Sequence, residues 1–173
     1  VNSVINEASD RIQDLLDIGV DFEKDVDGEF HLAKEGGHSV RRILHSKDAT
    51  GKEIERALTQ TAEQHVNIEL MPNNLAIDLI QCEHGNPKAG ITGVWCLDQT
   101  TQTVMTVHAD TLILATGGFG QLWSQTTNPS VATGDGLAMA FRAGAAVKNL
   151  AYIQFHPTAL AVKSDRPFLI TEA

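Results

Sequence analysis

Cysteine, basic charge and long apolar runs are all scarce in this 173-residue sequence, and each scarcity removes a class of protein. Two cysteines, Cys82 and Cys96, cannot staple a small secreted scaffold. The expected setting is therefore a reducing one with free thiols, the cytoplasm. Thirteen Lys and Arg stand against 22 Asp and Glu, for a formal net charge of −9. An acidic chain without a basic patch is a poor partner for nucleic acid or an anionic membrane. No stretch approaches the ~18 consecutive apolar residues of a membrane-spanning helix. Signal peptides, transit peptides and lipidation motifs are not visible either, and there are no repeats or low-complexity tracts. What is present is ordinary globular composition, 42% hydrophobic and 20% charged, too apolar for a disordered chain. At ~100–150 residues per domain, the length allows one domain, or one and a piece of another. The sequence runs from Val1 to Ala173 without a starting Met or a closing cap, which gives the expectation of an internal piece of a longer protein.

Periodicity predicts a helix over 3–18, where Val4, Ile5, Ala8, Ile12, Leu15 and Leu16 fall on one stripe. Asn2 or Ser3 can cap its start, and Gly19 suits its end. The Asp27-Gly28 pair between alternating apolar residues predicts a hairpin. Thr50 and Glu53 have the spacing of a capping box, opening a second helix with Ile54, Ala57, Leu58, Thr61 and Ala62 on its buried face. Short β-like runs follow at 68–71, 75–83, 91–98, 103–108 and 111–115, the middle ones forming an antiparallel meander. Leu112-Ile113-Leu114-Ala115 is continuously apolar, as a strand covered on both faces must be. A last helix starts near Gly134-Asp135-Gly136 and ends at Gly144.

Four groups of residues could carry chemistry. Ala115-Thr116-Gly117-Gly118 follows the apolar strand, where open α/β sheets bind ligands and where glycine lets a phosphate or ribose reach the backbone. It is equally readable as a plain turn, because no complete G-x-G-x-x-G unit with its later acidic residue is present. Asp135 at a helix start is either a simple cap or a carboxylate facing a nucleotide. Glu35-Gly36-Gly37-His38-Ser39 with Arg41 and Arg42 is either a solvated loop or a backbone held close to a ligand. His156 precedes Pro157 and is held extended, with Thr171 and Glu172 close by in sequence. His31, His38 and His45 recur every seven residues, but without near neighbours or carboxylates at metal-ligand spacings, so no metal is expected. Cys82 and Cys96 are read as two buried thiols, on strands that could be neighbours.

In this order, these residues resemble the L-aspartate oxidases of the succinate dehydrogenase/fumarate reductase flavoprotein family. The resemblance runs through Glu35–His45, Asp48-Ala49-Thr50-Gly51, Leu114–Gly118, Thr127-Asn128-Pro129, Gly134-Asp135-Gly136, Arg142–Ala145, Gln154–Leu160 and Thr171-Glu172-Ala173. It implies an α/β fold with α+β elements: the middle of a Rossmann-like FAD-binding domain with an antiparallel meander over 1–155, lacking the G-x-G-x-x-G unit. The start of a capping, substrate-binding domain would occupy 156–173. It further implies FAD-dependent oxidation of L-aspartate to iminoaspartate, on the route to quinolinate and NAD, with oxygen or fumarate as electron acceptor and quinolinate synthase as a candidate partner. Leu75 and Ala76 would meet FAD through backbone atoms, Ala115, Thr116, Gly117 and Gly118 would line it, and Asp135 would face it. Glu35, His156, Thr171 and Glu172 would surround the substrate, Glu35 taking the ammonium that succinate and fumarate lack. The family's proton-transferring arginine has no counterpart here. The 173 residues alone are thus expected to bind FAD poorly, to be inactive and to self-associate. A fumarate reductase or succinate dehydrogenase type of flavoprotein, or a non-catalytic truncated module, are the alternatives.

Overall fold

The computed structural model describes residues 1–46, 49–155 and 158–160. Among these, the chain divides into two compact units, 1–70 and 71–160.

The first unit starts with helix α1, Asn2–Asp17. Its end is a Schellman motif. Gly19 takes φ +86°, Gly19 N–H bonds Leu16 O at 2.9 Å, and Val20 N–H bonds Leu15 O at 3.0 Å. That reversal drives Val20 and Phe22 into the core, where they are 4% and 3% exposed, beside Ala57, Leu15, Leu16, Phe30, Leu44 and Ile54. The expected stripe is covered only in its second half. Ile12, Leu15 and Leu16 are partly buried, while Val4, Ile5 and Ala8 lie exposed. Neither Asn2 nor Ser3 caps the helix; Ser3 Oγ instead bonds Glu7 Oε1, one turn on. The Asp27-Gly28 turn forms as predicted, with an antiparallel bridge between Lys24 and Phe30. Asp25 Oδ1 accepts from the N–H groups of Asp27 and Glu29, which stiffens the turn. Two short strands, β1 (Leu32–Ala33) and β2 (Ile43–Leu44), then pair antiparallel, Leu32 opposite Leu44.

Helix α2 spans Thr50–Gln64. The capping box does not form, because the helix takes Ala49 as its N-cap and Thr50 is already helical. Thr50 Oγ1 turns back to accept Ser46 N–H at 3.1 Å. Glu53 accepts Asp21 N–H at 3.0 Å and the Arg56 guanidinium. Arg56 also donates to Gly19 O, so this pair ties α2 to the end of α1. The Arg56 bond, helped by Asp21 N–H, holds the Glu53 carboxyl at about 2.

In the second unit, β3 (Asn74–Gln81), β4 (Ile91–Asp98) and β5 (Thr103–His108) form an antiparallel meander in that order. The bounds expected for β4 and β5 are those observed. The β4–β5 turn is held by Asp98 Oδ1, which accepts Thr100 and Thr101 N–H; those donors hold its pKa below the ordinary carboxylate value. Gly93 lies mid-β4 opposite His108, and a Cβ there would overlap the Val107 carbonyl. Helix α3, Asp135–Arg142, ends in another Schellman turn at Gly144, φ +92°. It packs on β3 through its last residues. Arg142 Nε bonds Asp78 Oδ2 at 2.8 Å, and Ala143 O accepts from Gln81 Nε2.

Two expected strands are not strands. Residues 68–71 are irregular, and 111–115 pairs with nothing among the described residues. Ile113 is 85% exposed. A strand apolar on both faces is stable only between two neighbours, and none pairs with it among the described residues. Both thiols are free, as expected, and Cys96 is buried on β4; Cys82, just past β3, is exposed rather than buried.

Candidate functional site

In the first unit, Glu35 stands at the tip of the β1–β2 hairpin. His38 N–H bonds Glu35 O at 3.1 Å, closing a turn whose third residue, Gly37, has φ +82°. That backbone is cheap only for glycine, which explains one of the two adjacent glycines. Below the tip, Arg42 N–H bonds Ala33 O, Arg41 reaches Leu32 O, and Arg42 Nη2 donates to Ser39 Oγ. The turn thus gathers an exposed carboxylate and two exposed guanidinium groups. His38 Nδ1 is buried beside them with no hydrogen-bond partner among the described residues. A carboxylate held this way can accept from an ammonium, and the guanidinium groups can donate to carboxylates.

In the second unit, the Ala115–Gly118 segment lies against the start of α3. Gly134 N–H bonds Gly118 O at 3.1 Å, and Gly134 takes φ +83° against the Phe119 side chain. Gly136 is buried, and a Cβ there would overlap the Thr116 side chain. Glycine at Gly136 is therefore what lets the segment and the helix touch. At Gly117 and Gly118 the situation is reversed: an added Cβ would meet nothing within 4 Å. Both faces of this turn are thereby accounted for, one packed on α3 and one open. Asp135 is exposed at the helix start, its Oδ2 accepting the Thr133 hydroxyl at 2.6 Å.

Leu75 and Ala76 lie on β3, opposite Leu97 and Cys96. Because β3 is an edge strand among the described residues, its outer backbone groups face away from the sheet. Ile77 is an extra residue in the β3–β4 register, and its carbonyl accepts from Arg142 Nη2 at 3.3 Å. The same guanidinium, helped by Leu79 N–H, holds the Asp78 carboxyl below its usual range. No hydrogen bond among the described residues joins Leu75 or Ala76 to the Ala115–Gly118 segment. The structure thus brings Ala115–Gly118 and Asp135 together, and puts Leu75 and Ala76 on the strand that α3 packs against. Glu35 belongs to the first unit. His156, Thr171 and Glu172 lie outside the described residues.

Comparison with known proteins identifies the scaffold. The family model for the FAD binding domain matches residues 1–173. The chain belongs to the FAD-binding domain family. Among curated relatives, it is 44% identical to L-aspartate oxidase, chloroplastic, of Oryza sativa subsp. japonica, covering all of this chain and 28% of that protein. It is 41% identical to L-aspartate oxidase of Vibrio cholerae, covering all of this chain and 34% of that protein. The chain therefore spans about a third or less of these relatives. Among solved structures, Mycobacterium smegmatis Sdh1 in complex with UQ1 matches with TM-score 0.75 and 33% identity, over 88% of this chain and 27% of that one. E. coli quinol fumarate reductase FrdA matches with TM-score 0.70 at 24% identity, over 78% of this chain and 22% of that one, which bears on fold alone.

The residues present fit FAD, the group for which the family is named. The open side of Gly117 and Gly118 leaves main chain reachable by a ligand, and the adjoining start of α3 carries roughly half a positive charge suited to phosphate. No helix among the described residues is long and apolar enough to cross a membrane.

Proposed function

We propose that this chain is part of an FAD-dependent L-aspartate oxidase that converts L-aspartate to iminoaspartate. The observation that carries the reading is identity above 40%, along the whole chain, with proteins named for that activity. FAD, when bound, would supply the two-electron acceptor for the hydride that leaves the substrate Cα. Gly117 and Gly118 would offer it open backbone, Ala115 and Thr116 would line it, Leu75 and Ala76 would meet it through main-chain atoms, and Asp135 would face it.

Substrate binding falls to Glu35, His156, Thr171 and Glu172. Glu35 accepts from the substrate ammonium. Imidazole and hydroxyl donors on His156 and Thr171 serve the carboxylates. What supports Glu35 in this role is its exposure on a hairpin tip fixed by the Glu35–His38 turn. Residues 1–155 would belong to the FAD-binding domain and 156–173 to the start of a substrate-capping one. Oxygen or fumarate would take the electrons, and the product would feed quinolinate synthesis in the cytoplasm.

Full-length protein should be yellow and should release hydrogen peroxide with L-aspartate. Fumarate reduction by a reduced dye, without peroxide from aspartate, would favour the reading that the Sdh1 likeness supports, a fumarate reductase or succinate dehydrogenase type. Glu35→Gln should lower kcat/KM for aspartate by about 10–100-fold, the worth of one charge-assisted hydrogen bond. Fumarate reduction should fall much less, since fumarate has no ammonium. Equal losses with both substrates remove Glu35 from this role.

A further inference from the structure

Glu23, His31 and His45 are scattered along the sequence, yet their main chains are bonded in series. Glu23 N–H donates to His45 O at 2.9 Å, and His31 N–H donates to Glu23 O at 2.9 Å. Two turns bring this about. The Asp27-Gly28 turn folds His31 back beside Glu23, and the β1–β2 pairing sets His45 alongside. Leu32 pairs with Leu44, so His31 and His45 flank the base of the hairpin whose tip carries Glu35.

The side chains converge accordingly. One nitrogen or oxygen from each of the three lies within 4.8 Å of the others. His31 Nδ1 is 2.9 Å from His45 Nε2, with the rings edge to face. His45 Nδ1 is 3.3 Å from Glu23 Oε2. An ionised carboxylate only accepts, so the arrangement with His45 neutral puts its proton on Nδ1, toward Glu23. That leaves the Nε2 lone pair of His45 facing His31 Nδ1. Without a metal, His31 Nδ1–H donates to that lone pair; moving the His31 proton to its own Nε2 frees both nitrogens to face a cation.

We propose that His31 Nδ1 and His45 Nε2 bind a divalent cation of the zinc class, with Glu23 orienting the His45 ring through its Nδ1–H. A carboxylate behind a ligating imidazole fixes its tautomer and raises its basicity. Imidazole nitrogens select zinc-like ions over magnesium or calcium, which take oxygen ligands. Water would complete the coordination on the open side, since Glu23 and His31 are exposed. Tetrahedral zinc at ordinary Zn–N lengths holds two nitrogens about 3.3 Å apart. The pair at 2.9 Å must open by a few tenths of an ångström, which side chains at a surface hairpin can give. The main-chain bonds need not change. The ion would clip the Asp27-Gly28 hairpin to β2 at the foot of the Glu35 loop.

The test is calorimetric titration of zinc chloride, and separately of magnesium chloride, into chelator-stripped full-length protein. One zinc per chain at micromolar affinity or tighter is expected, with no heat from magnesium. His31→Ala and His45→Ala should each weaken zinc binding about 100-fold. His84→Ala, an exposed histidine elsewhere, should leave it unchanged. Glu23→Gln should weaken it about 10–100-fold. Circular dichroism establishes that each variant is folded. Should His45→Ala unfold, His31→Ala carries the test, because its ring is exposed. Absence of stoichiometric heat, or equal affinity in the two histidine variants and the parent, overturns the proposal. An unchanged affinity in Glu23→Gln overturns the role given to Glu23.

Discussion

Replacing Gly118 with alanine separates what the Ala115–Gly118 segment does for the fold from what it does for a ligand. Gly118 does not use the left-handed region, and an added Cβ meets nothing within 4 Å. Its bond to Gly134 N–H goes through the carbonyl, which a methyl leaves intact. Folding should therefore be unaffected, or gain about 0.4–1 kcal/mol from a less flexible unfolded chain. A cofactor lying against that open backbone would meet the new methyl. Overpacking a fitted contact costs about 1–3 kcal/mol, which is roughly 5–150-fold in Kd at 1.4 kcal/mol per tenfold. Gly136→Ala is the opposite case. Its Cβ overlaps the Thr116 side chain from the buried side, so it should lower stability by about 1–3 kcal/mol whether or not FAD is present. The assay is flavin fluorescence on titrating FAD into deflavinated full-length protein, with urea unfolding alongside. Wild-type affinity in a stable Gly118→Ala variant would refute the claim that this face of the turn receives the cofactor.

Three further outcomes follow, two in the second unit and one in the first. Gly93→Ala should cost about 1–3 kcal/mol, because the overlapped atom is the Val107 carbonyl in the next strand and cannot rotate away. Gly51→Ala, in open space in the first turn of α2, should instead add roughly 0.5–1 kcal/mol; equal effects in urea unfolding would refute the distinction. Asp78→Asn should destabilise by about 1 kcal/mol or less, since the Arg142 partner is half exposed and solvent-screened. The folded carboxyl is depressed below 3.8, so this stabilisation is complete above roughly pH 5 and is lost as pH falls through the folded value. Wild type and variant should therefore converge in acid, and a gap that widens there contradicts the Arg142 assignment.

What the sequence made legible is what neighbouring residues decide among themselves. The Asp27-Gly28 turn, the Gly19 and Gly144 helix ends, and the bounds of β4 and β5 all follow from local backbone preference and alternation. The T-x-x-E spacing at Thr50 failed because three other donors, one of them distant in sequence, took the same oxygens. Asp21 N–H and Arg56 occupy Glu53, and Ser46 N–H occupies Thr50. Leu112–Ala115 failed for a related reason. Its composition specifies what a covered strand would contain, whereas pairing requires neighbours that composition cannot supply. The site divides the same way. Ala115–Gly118 and the Glu35 loop are contiguous motifs and stand out in the sequence as candidates, while His156, Thr171 and Glu172 fall outside the described residues.

The histidines mark the boundary most sharply. Spacing by seven said nothing useful about His31, His38 and His45, because two of them meet directly and the carboxylate beside His45 comes from Glu23, outside that spacing. The signal was available in the hairpin itself: once Lys24 pairs with Phe30, Glu23 and His31 must be adjacent. The register that puts Leu32 opposite Leu44 then brings His45 to the same place and projects Glu35 from the loop between the two strands. Slipping that pair by one residue would reverse the facing of every side chain on the moved strand. The Glu23–His45–His31 cluster and the presentation of Glu35 are therefore two consequences of a single backbone registration. A variant that disturbs Leu32 or Leu44 should damage both together.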